Sequence, residues 1–430
     1  MHQFLRRLTG ITAVVLLGVF SVPAQDKPAE KKVKDQGEYD LYNGVTKETD
    51  PNKKLALLNT WKEKYPDSDF KKDRLAIMLV TYQQLNQAAK MIDTAKEILA
   101  IDPKDLTALY WISFLSPTLG NTSPDALDTA EKAANGLLVA EKPATVKSDE
   151  EWTKAKAQTD AIATSTLGWV AMQRKNWDAA EQNLRKSLAV NPNAAQVSYW
   201  LGTTLVSEKK PEKQSEALFQ FARAATFDGP GALNPEGRKK IDEYLTKVYT
   251  SYHGDTTGLP ELKAAAKASP TPPPDFKIQS AAEVIAGKEE ELKKTNPALA
   301  LWLSVKGQLL GPDGQQYFDS NMKGNLVQNL KGWVISGKPA VKSKELLVSM
   351  EGADKVAEVT IRLVGSDGST AAPLTGKPEA GSQITFEGVP EAFAKEPLMV
   401  TFAVEKSKIT GLKEEKVAAP AHKAPVHKKS

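Results

Sequence analysis

The chain of 430 residues has no cysteine and only four histidines. Without cysteine there is no disulfide, no thiolate metal site, no lipid-carrying N-terminal Cys and no Cys nucleophile. Of the histidines, His2 lies at the extreme N-terminus and His422 and His427 lie in a Lys/Ala/Pro tail. That leaves His253, beside Gly254 in a turn-like stretch, where a structural role is expected. No His-Glu-x-x-His, Gly-x-Ser-x-Gly or His-rich metal spacing occurs. The Gly-Pro-Asp-Gly and Gly-Ser-Asp-Gly runs at 311–314 and 365–368 lack the continuation that phosphate or calcium loops need, so they read as turns. Asp67, Asp69 and Asp73 sit where helices begin and complement the helix dipole. The expectation is a protein that is not an enzyme, with no catalytic set, no cofactor and no metal.

A long hydrophobic run is also missing. The longest, residues 11–20, follows Arg6 and Arg7 and precedes Val22-Pro23-Ala24, the small-residue pattern of a cleavage site. It falls short of the ~20 residues that span a bilayer. Residues 1–24 therefore read as a signal peptide cut after Ala24, and the mature chain as a periplasmic or secreted bacterial protein with no membrane anchor. Charge of one sign is scarce too. Of the net +4, Arg6 and Arg7 give +2 and the tail from Lys413 gives five Lys against two Glu, leaving the body near −1. That balance argues against a nucleic-acid footprint.

What is present is helical periodicity. Residues 25–37 form a solvated linker. Leu55, Leu58, Trp61 and Tyr65, then Leu75, Met78, Leu79 and Tyr82, then Ile92, Ala95 and Leu99 recur at three- and four-residue spacing, with stops at Pro66 and Pro103. Residues 106–114 begin a third hairpin, and Ser123-Pro124 is an N-cap with Pro at the first helical position. Asp228-Gly229-Pro230-Gly231 breaks the pattern. A helix bearing Ile241, Leu245, Val248 and Tyr249 then reads as the end unit of a stack.

Within this array Leu167-Gly168 and Leu201-Gly202 lie 34 residues apart. The first copy also carries Ala180, Leu184 and Pro192. The second carries Ala217, Phe221 and Ala224, with three extra residues around Lys209-Lys210-Pro211. This pair resembles the tetratricopeptide (TPR) family, whose unit is a 34-residue helix–turn–helix. The resemblance implies an α-solenoid over residues 38–268 that binds a protein or peptide, degenerate in its earlier hairpins. In that family the first helix of each unit lines the concave face. Carried over, this implies a groove of Ser165, Trp169 and Met172 in one repeat and Gln196, Tyr199, Thr203 and Val206 in the next. Trp177 and Trp200 fall off those positions and are expected in the core.

Residues 269–275 (SPTPPPD) are a proline-rich linker, and 276–330 a helical connector. The period then changes to two. Leu346, Val348 and Met350 alternate, as do Val359, Ile361 and Leu363, Ile384 and Phe386, and Leu398, Val400, Phe402 and Val404. About five strands across 331–412 suggest a small antiparallel β-barrel. Residues 383–401 resemble the central hairpin of bacterial OB-fold modules, in which a Gly-Val step bends the strand. Residues 413–430 are a disordered tail. The expected fold class is therefore multidomain α + β, with an α-solenoid, a helical connector and an OB-like barrel.

Two functions follow. The first is an exported scaffold or adaptor with a protein or peptide partner in the cell envelope. The alternative makes the barrel a glycan- or nucleic-acid-binding module, with the repeats as spacer. The composition favours the first. Residues 331–412 hold ten Lys/Arg against ten Asp/Glu, and of their aromatics Trp333, Phe386, Phe393 and Phe402, Phe386 and Phe402 read as core.

Overall fold

The computed structural model describes residues 31–415. The expected signal peptide, residues 25–30 of the linker and residues 416–430 of the tail lie outside the described residues. The described residues fall into two compact units that divide after Ala281. Among the described residues there are fifteen α-helices, followed by eight strands.

The first unit is a stack of helical hairpins: α1 (Gln36–Lys47) with α2 (Pro51–Lys64), α3 (Lys71–Gln84) with α4 (Ala88–Ile101), α5 (Leu106–Leu119) with α6 (Pro124–Leu138), α7 (Asp149–Gln173) with α8 (Trp177–Val190), and α9 (Ala195–Ser207) with α10 (Gln214–Thr226). These hairpins fit a TPR-like form. Each helix packs on the next, while α5 also lies beside α7 and α7 beside α9, so these first helices share a layer. α11 (Pro235–His253) and α12 (Leu259–Ala268) both pack on α10. α11 buries Ile241, Leu245 and Tyr249. Polar side chains set many of the boundaries. Asp35, Asp50, Asp105, Ser123, Ser148, Asn176 and Asn234 each accept a backbone N–H at a helix start. The Asp35 cap starts α1 at Gln36, two residues before Glu38, so the expected linker 25–37 is ordered by its last residues.

The signature residues of the clear repeat pair sit where helices cross. A Cβ on Gly168 would come within 2.7 Å of two Leu184 carbons, and one on Gly202 within 3.0 Å of the Phe221 ring. In a core this dense a methyl at Gly168 cannot enter without shifting Leu184, and one at Gly202 would press on the Phe221 ring. Ala180, Leu184, Leu201, Ala217, Phe221 and Ala224 are at most 1 % exposed. Leu167 is half-buried against the core of the first hairpins. Pro192 lies exposed in the turn after α8. The three extra residues of the second repeat open a short 3-10 turn, Pro211–Lys213. That turn brings Lys210 and Lys213 to 2.8 and 2.6 Å from Glu208, and Lys213 also pairs with Glu181. The Glu208 side chain is 2 % exposed. Burial pushes its carboxyl up, but the hydrogen bonds from Lys210 and Lys213 outweigh this and hold it down at about 2.

Two buried arginines finish helix C-termini, where unpaired carbonyls carry negative partial charge. Arg74 donates to the carbonyls of Trp61 (3.1 Å) and Tyr65 (2.9 Å) at the end of α2. Arg223 donates to Ala266 and Lys267 (3.1 and 2.8 Å) at the end of α12 and stacks 3.9 Å from the Phe227 ring centroid. The start of the expected connector behaves differently from its assignment. Phe276 meets Phe219 edge-on at 5.4 Å, and Ile278 is 7 % exposed, its N–H held by Ser215 Oγ at 2.9 Å. These two apolar residues complete the core beside α10, so residues 276–278 belong to the first unit.

The second unit contains α13 (Ala281–Thr295, whose first residue closes the first unit), α14 (Pro297–Leu310), the single turn α15 (Gly314–Tyr317), a π-turn (Phe318–Met322) and the strands. The strands are β1 (Val327–Lys338), β2 (Glu345–Ser349), β3 (Val359–Val364), β4 (Lys377–Pro378), β5 (Gln383–Lys395), β6 (Leu398–Glu405), β7 (Ile409–Thr410) and β8 (Glu414–Glu415). Five of them close in the order β1-β2-β3-β6-β5 and back to β1. The expected antiparallel pattern holds for four pairings. The fifth, β3 with β6, is parallel from Val359↔Val400 to Val364↔Glu405, which makes the barrel mixed. Closure leaves no open seam between β1 and β5. At Gly388-Val389 β5 changes partner, from β1 (Val327↔Gly388) to β6 (Val389↔Ala403). A Cβ on Gly388 would lie 2.5 Å from Val404 Cγ2, so the crossing requires glycine there.

The barrel interior takes alternate residues of each strand: Leu346 and Val348, Val359 and Ile361, Ile384 and Phe386, Val400 and Phe402. Phe318 and Met322 of the π-turn join this core, as do Trp302 and Leu309 of α14. Trp302 Nε1 donates to Glu358 at 2.9 Å, and Lys306 pairs with both Glu351 and Glu358. The helix thus brings a paired cation to a carboxylate that would otherwise be costly to bury.

Candidate interaction surface

Packing leaves a regularly spaced half-buried stripe on three of the first helices. On α3 it is Asp73, Ala76, Val80 and Gln83. On α5 it is Thr107, Tyr110, Phe114 and Pro117. On α9 it is Gln196, Tyr199, Thr203 and Val206. The spacing is three, four and three residues each time, the repeat of one helical face. The stripes of α5 and α9 are what a partner can reach in the layer formed by α5, α7 and α9.

The stripe of α7 departs from this pattern at one place. Ser165 and Met172 are half-buried, but Trp169 is 4 % exposed. Its indole fills the space among Leu127 and Ala130 of α6, Val170, and Trp200 of α9. Trp169 is thus a packing residue between hairpins, and the expected place for it in the groove is corrected. Burial also occupies other members. Ser165 Oγ donates to the Ile162 carbonyl at 2.8 Å and Thr203 Oγ1 to the Tyr199 carbonyl at 2.9 Å, so both hydroxyls already spend their proton within the helix. Tyr199 stays half-exposed, its ring tilted against Phe221 at 5.9 Å. Trp177 and Trp200 are half-buried rather than fully enclosed.

The largest half-exposed aromatic group lies instead on α5. Tyr110 and Phe114 stack with centroids 5.8 Å apart and planes 5° from parallel. Trp111 meets Tyr110 edge-on at 5.3 Å and Phe114 at 6.1 Å. All three rings pack on the core of the first hairpins, as does Ile77 of α3. Burial pushes the Tyr110 hydroxyl up from its ordinary value, and the residue as a whole is half-buried. The signal in the sequence is LYWISF, three aromatics within five residues of one helix. This hairpin lacks the Leu-Gly signature that marks the groove positions of the clear repeats.

His253 has its Nδ1 2.8 Å from the Gln279 carbonyl and holds the end of α11 against the following segment. Among the described residues no helix is long and apolar enough to cross a membrane.

The fold is thus a stack of TPR-like helical hairpins in one unit and a small mixed β-barrel in the other, with a half-buried aromatic stripe on the stack. No protein-family model matches the chain, and no curated protein matches it. Among solved structures it is similar to one titled "MamA RS-1 ArsTM double mutant", at 12% identity and a TM-score of 0.32, over 49% of this chain and 98% of that one. A likeness at that score carries no argument.

Proposed function

We propose that this chain is an exported, non-enzymatic adaptor of the bacterial cell envelope that binds a protein or peptide along the first-helix stripe. The observation that carries the reading is the trio Tyr110, Trp111 and Phe114. Three rings brace one another, so they lose little freedom on binding, and Tyr and Trp are the residues that most often dominate interface energetics. Gln196 and Tyr199 supply polar contacts from α9 in the same layer. Export rests on the signal pattern of residues 1–24.

The barrel supports the alternative ligand-binding reading less well. Phe386 and Phe402 are at most 1 % exposed and Phe393 stacks on Phe318 at 5.6 Å, so of its four aromatics Trp333 is left as a platform. The test is binding by variants that blunt half-exposed rings, with urea midpoints to show the chain still folded: Trp111→Gln with Tyr199→Gln should lose partners that wild type holds.

A further inference from the structure

The start of α3 is built unlike most helix starts of the stack. Its N-cap is Phe70, which makes no side-chain cap bond, and the aspartates on either side bond elsewhere. Asp73 Oδ2 lies 2.5 Å from the ammonium of Lys31, and Asp69 Oδ2 accepts the backbone N–H of Lys32 at 3.1 Å. The same Lys31 ammonium stands 5.9 Å from the centroid of the Phe70 ring. Next to it opens a cavity of about 420 Å³, lined by Lys31, Lys32, Val33, Tyr39, Tyr42 and Phe70. Tyr42 leans on Phe70 at 5.5 Å, and Tyr39 is 49% exposed.

Each of these parts answers to one feature of a basic peptide. A carboxylate beside an aromatic face suits an ammonium, since the ring quadrupole and the anion attract the same charge. A second carboxylate taking a main-chain N–H fixes an extended backbone beside it. Helix-dipole compensation would account for the aspartates but for neither the ring nor the backbone contact. The occupant is held loosely: the Lys31 and Asp73 side chains are 46% and 42% exposed, and a pair so open to water is worth little. A segment held that way can be displaced.

We infer that Phe70, Asp69 and Asp73, with Tyr39 and Tyr42, form a seat for a peptide that presents a lysine ammonium followed by a free main-chain N–H, and that Lys31-Lys32 of this chain fills it until a partner's lysine segment displaces them. The seat shares Asp73 with the α3 stripe but none of the rings of α5, and its preference for lysine over glutamine does not depend on what those rings bind. The tethered lysines compete at the high effective concentration of an intramolecular ligand, so emptying the seat should expose its affinity.

The experiment titrates the full chain, wild type and Lys31→Ala/Lys32→Ala, with a fluorescent peptide of sequence AEKKVKDQ and with its glutamine counterpart AEQQVQDQ. The lysine peptide is expected to bind the emptied chain about five-fold more tightly than wild type, and to weaken at ~0.5 M salt. Adding Asp69→Asn and Asp73→Asn to the emptied chain should bring it down to the glutamine peptide's level. These are surface changes, and an unchanged circular dichroism spectrum checks that they leave the helices intact. Equal binding of the two peptides by the emptied chain would overturn the seat. Equal binding of the lysine peptide by wild-type and emptied chains would overturn its self-occupancy.

Discussion

Thr166 on α7 donates its hydroxyl hydrogen to the carbonyl of Ser113 on α5 across 2.8 Å. The bond exists because Pro117, inside α5, has no N–H to give that carbonyl. Thr166 is 1 % exposed and Ser113 fully buried, so no water can take over. A neighbouring helix thus repairs the defect, and the repair ties together the two first helices that carry the stripe.

Thr166→Val should therefore cost about 1–3 kcal/mol, the penalty for leaving a buried acceptor unpaired. In a Pro117→Ala background the residue-117 N–H becomes available to Ser113, and the same valine should cost less. Urea midpoints of the four variants close the cycle. Equal costs in both backgrounds would show that the two residues do not share the carbonyl.

Gly168→Ala drives a methyl to 2.7 Å from Leu184 and should destabilise by about 1–3 kcal/mol. Combining it with Leu184→Ala should cost less than the two single changes added, since each relieves the other. Additive costs would mean that the helices separate at this crossing.

The carboxyl of Glu208 is held at about 2 against an ordinary 4.5 by Lys210 and Lys213, despite its burial. A carboxyl lowered on folding contributes stability above its unfolded value and loses it as pH falls toward its folded one. Denaturation midpoints should then fall between pH 4.5 and about 2, with Glu208 contributing about 1–3 kcal/mol of that fall. In Glu208→Gln the slope should be shallower over the same window. An identical slope would assign the acid lability to other carboxylates.

The sequence carried the fold further than it carried the surface. The 34-residue spacing of Gly168 and Gly202 located two helix crossings, because close approach leaves a composition mark. The alternation of Val359, Ile361 and Leu363 located a strand for the same reason. The parallel seam between β3 and β6 was not legible, since alternation is the same in both senses of pairing. Trp169 was misplaced because a position on the inner face of a TPR helix is open only if nothing packs over it, and Trp200 and Leu127 do. Exposure of this kind depends on neighbours distant in sequence, as with Trp169 and Leu127.

Trp169 and Trp111 should consequently part in their effects. Trp169→Ala removes a buried indole and should cost about 3–5 kcal/mol. Trp111→Gln, at a half-exposed site, should move the urea midpoint by much less. Similar losses would place Trp111 in the core and take it out of the binding surface.

The central claim is that the aromatic stripe is where partners bind, and its most direct measurement is quantitative capture from an envelope fraction. Immobilised wild type is compared with Tyr110→Gln/Trp111→Gln, after urea midpoints show both chains folded. Proteins enriched by wild type are expected to fall about ten-fold or more with the variant, the loss typical of removing interface aromatics. Capture of the same proteins in the same amounts by both chains would contradict it.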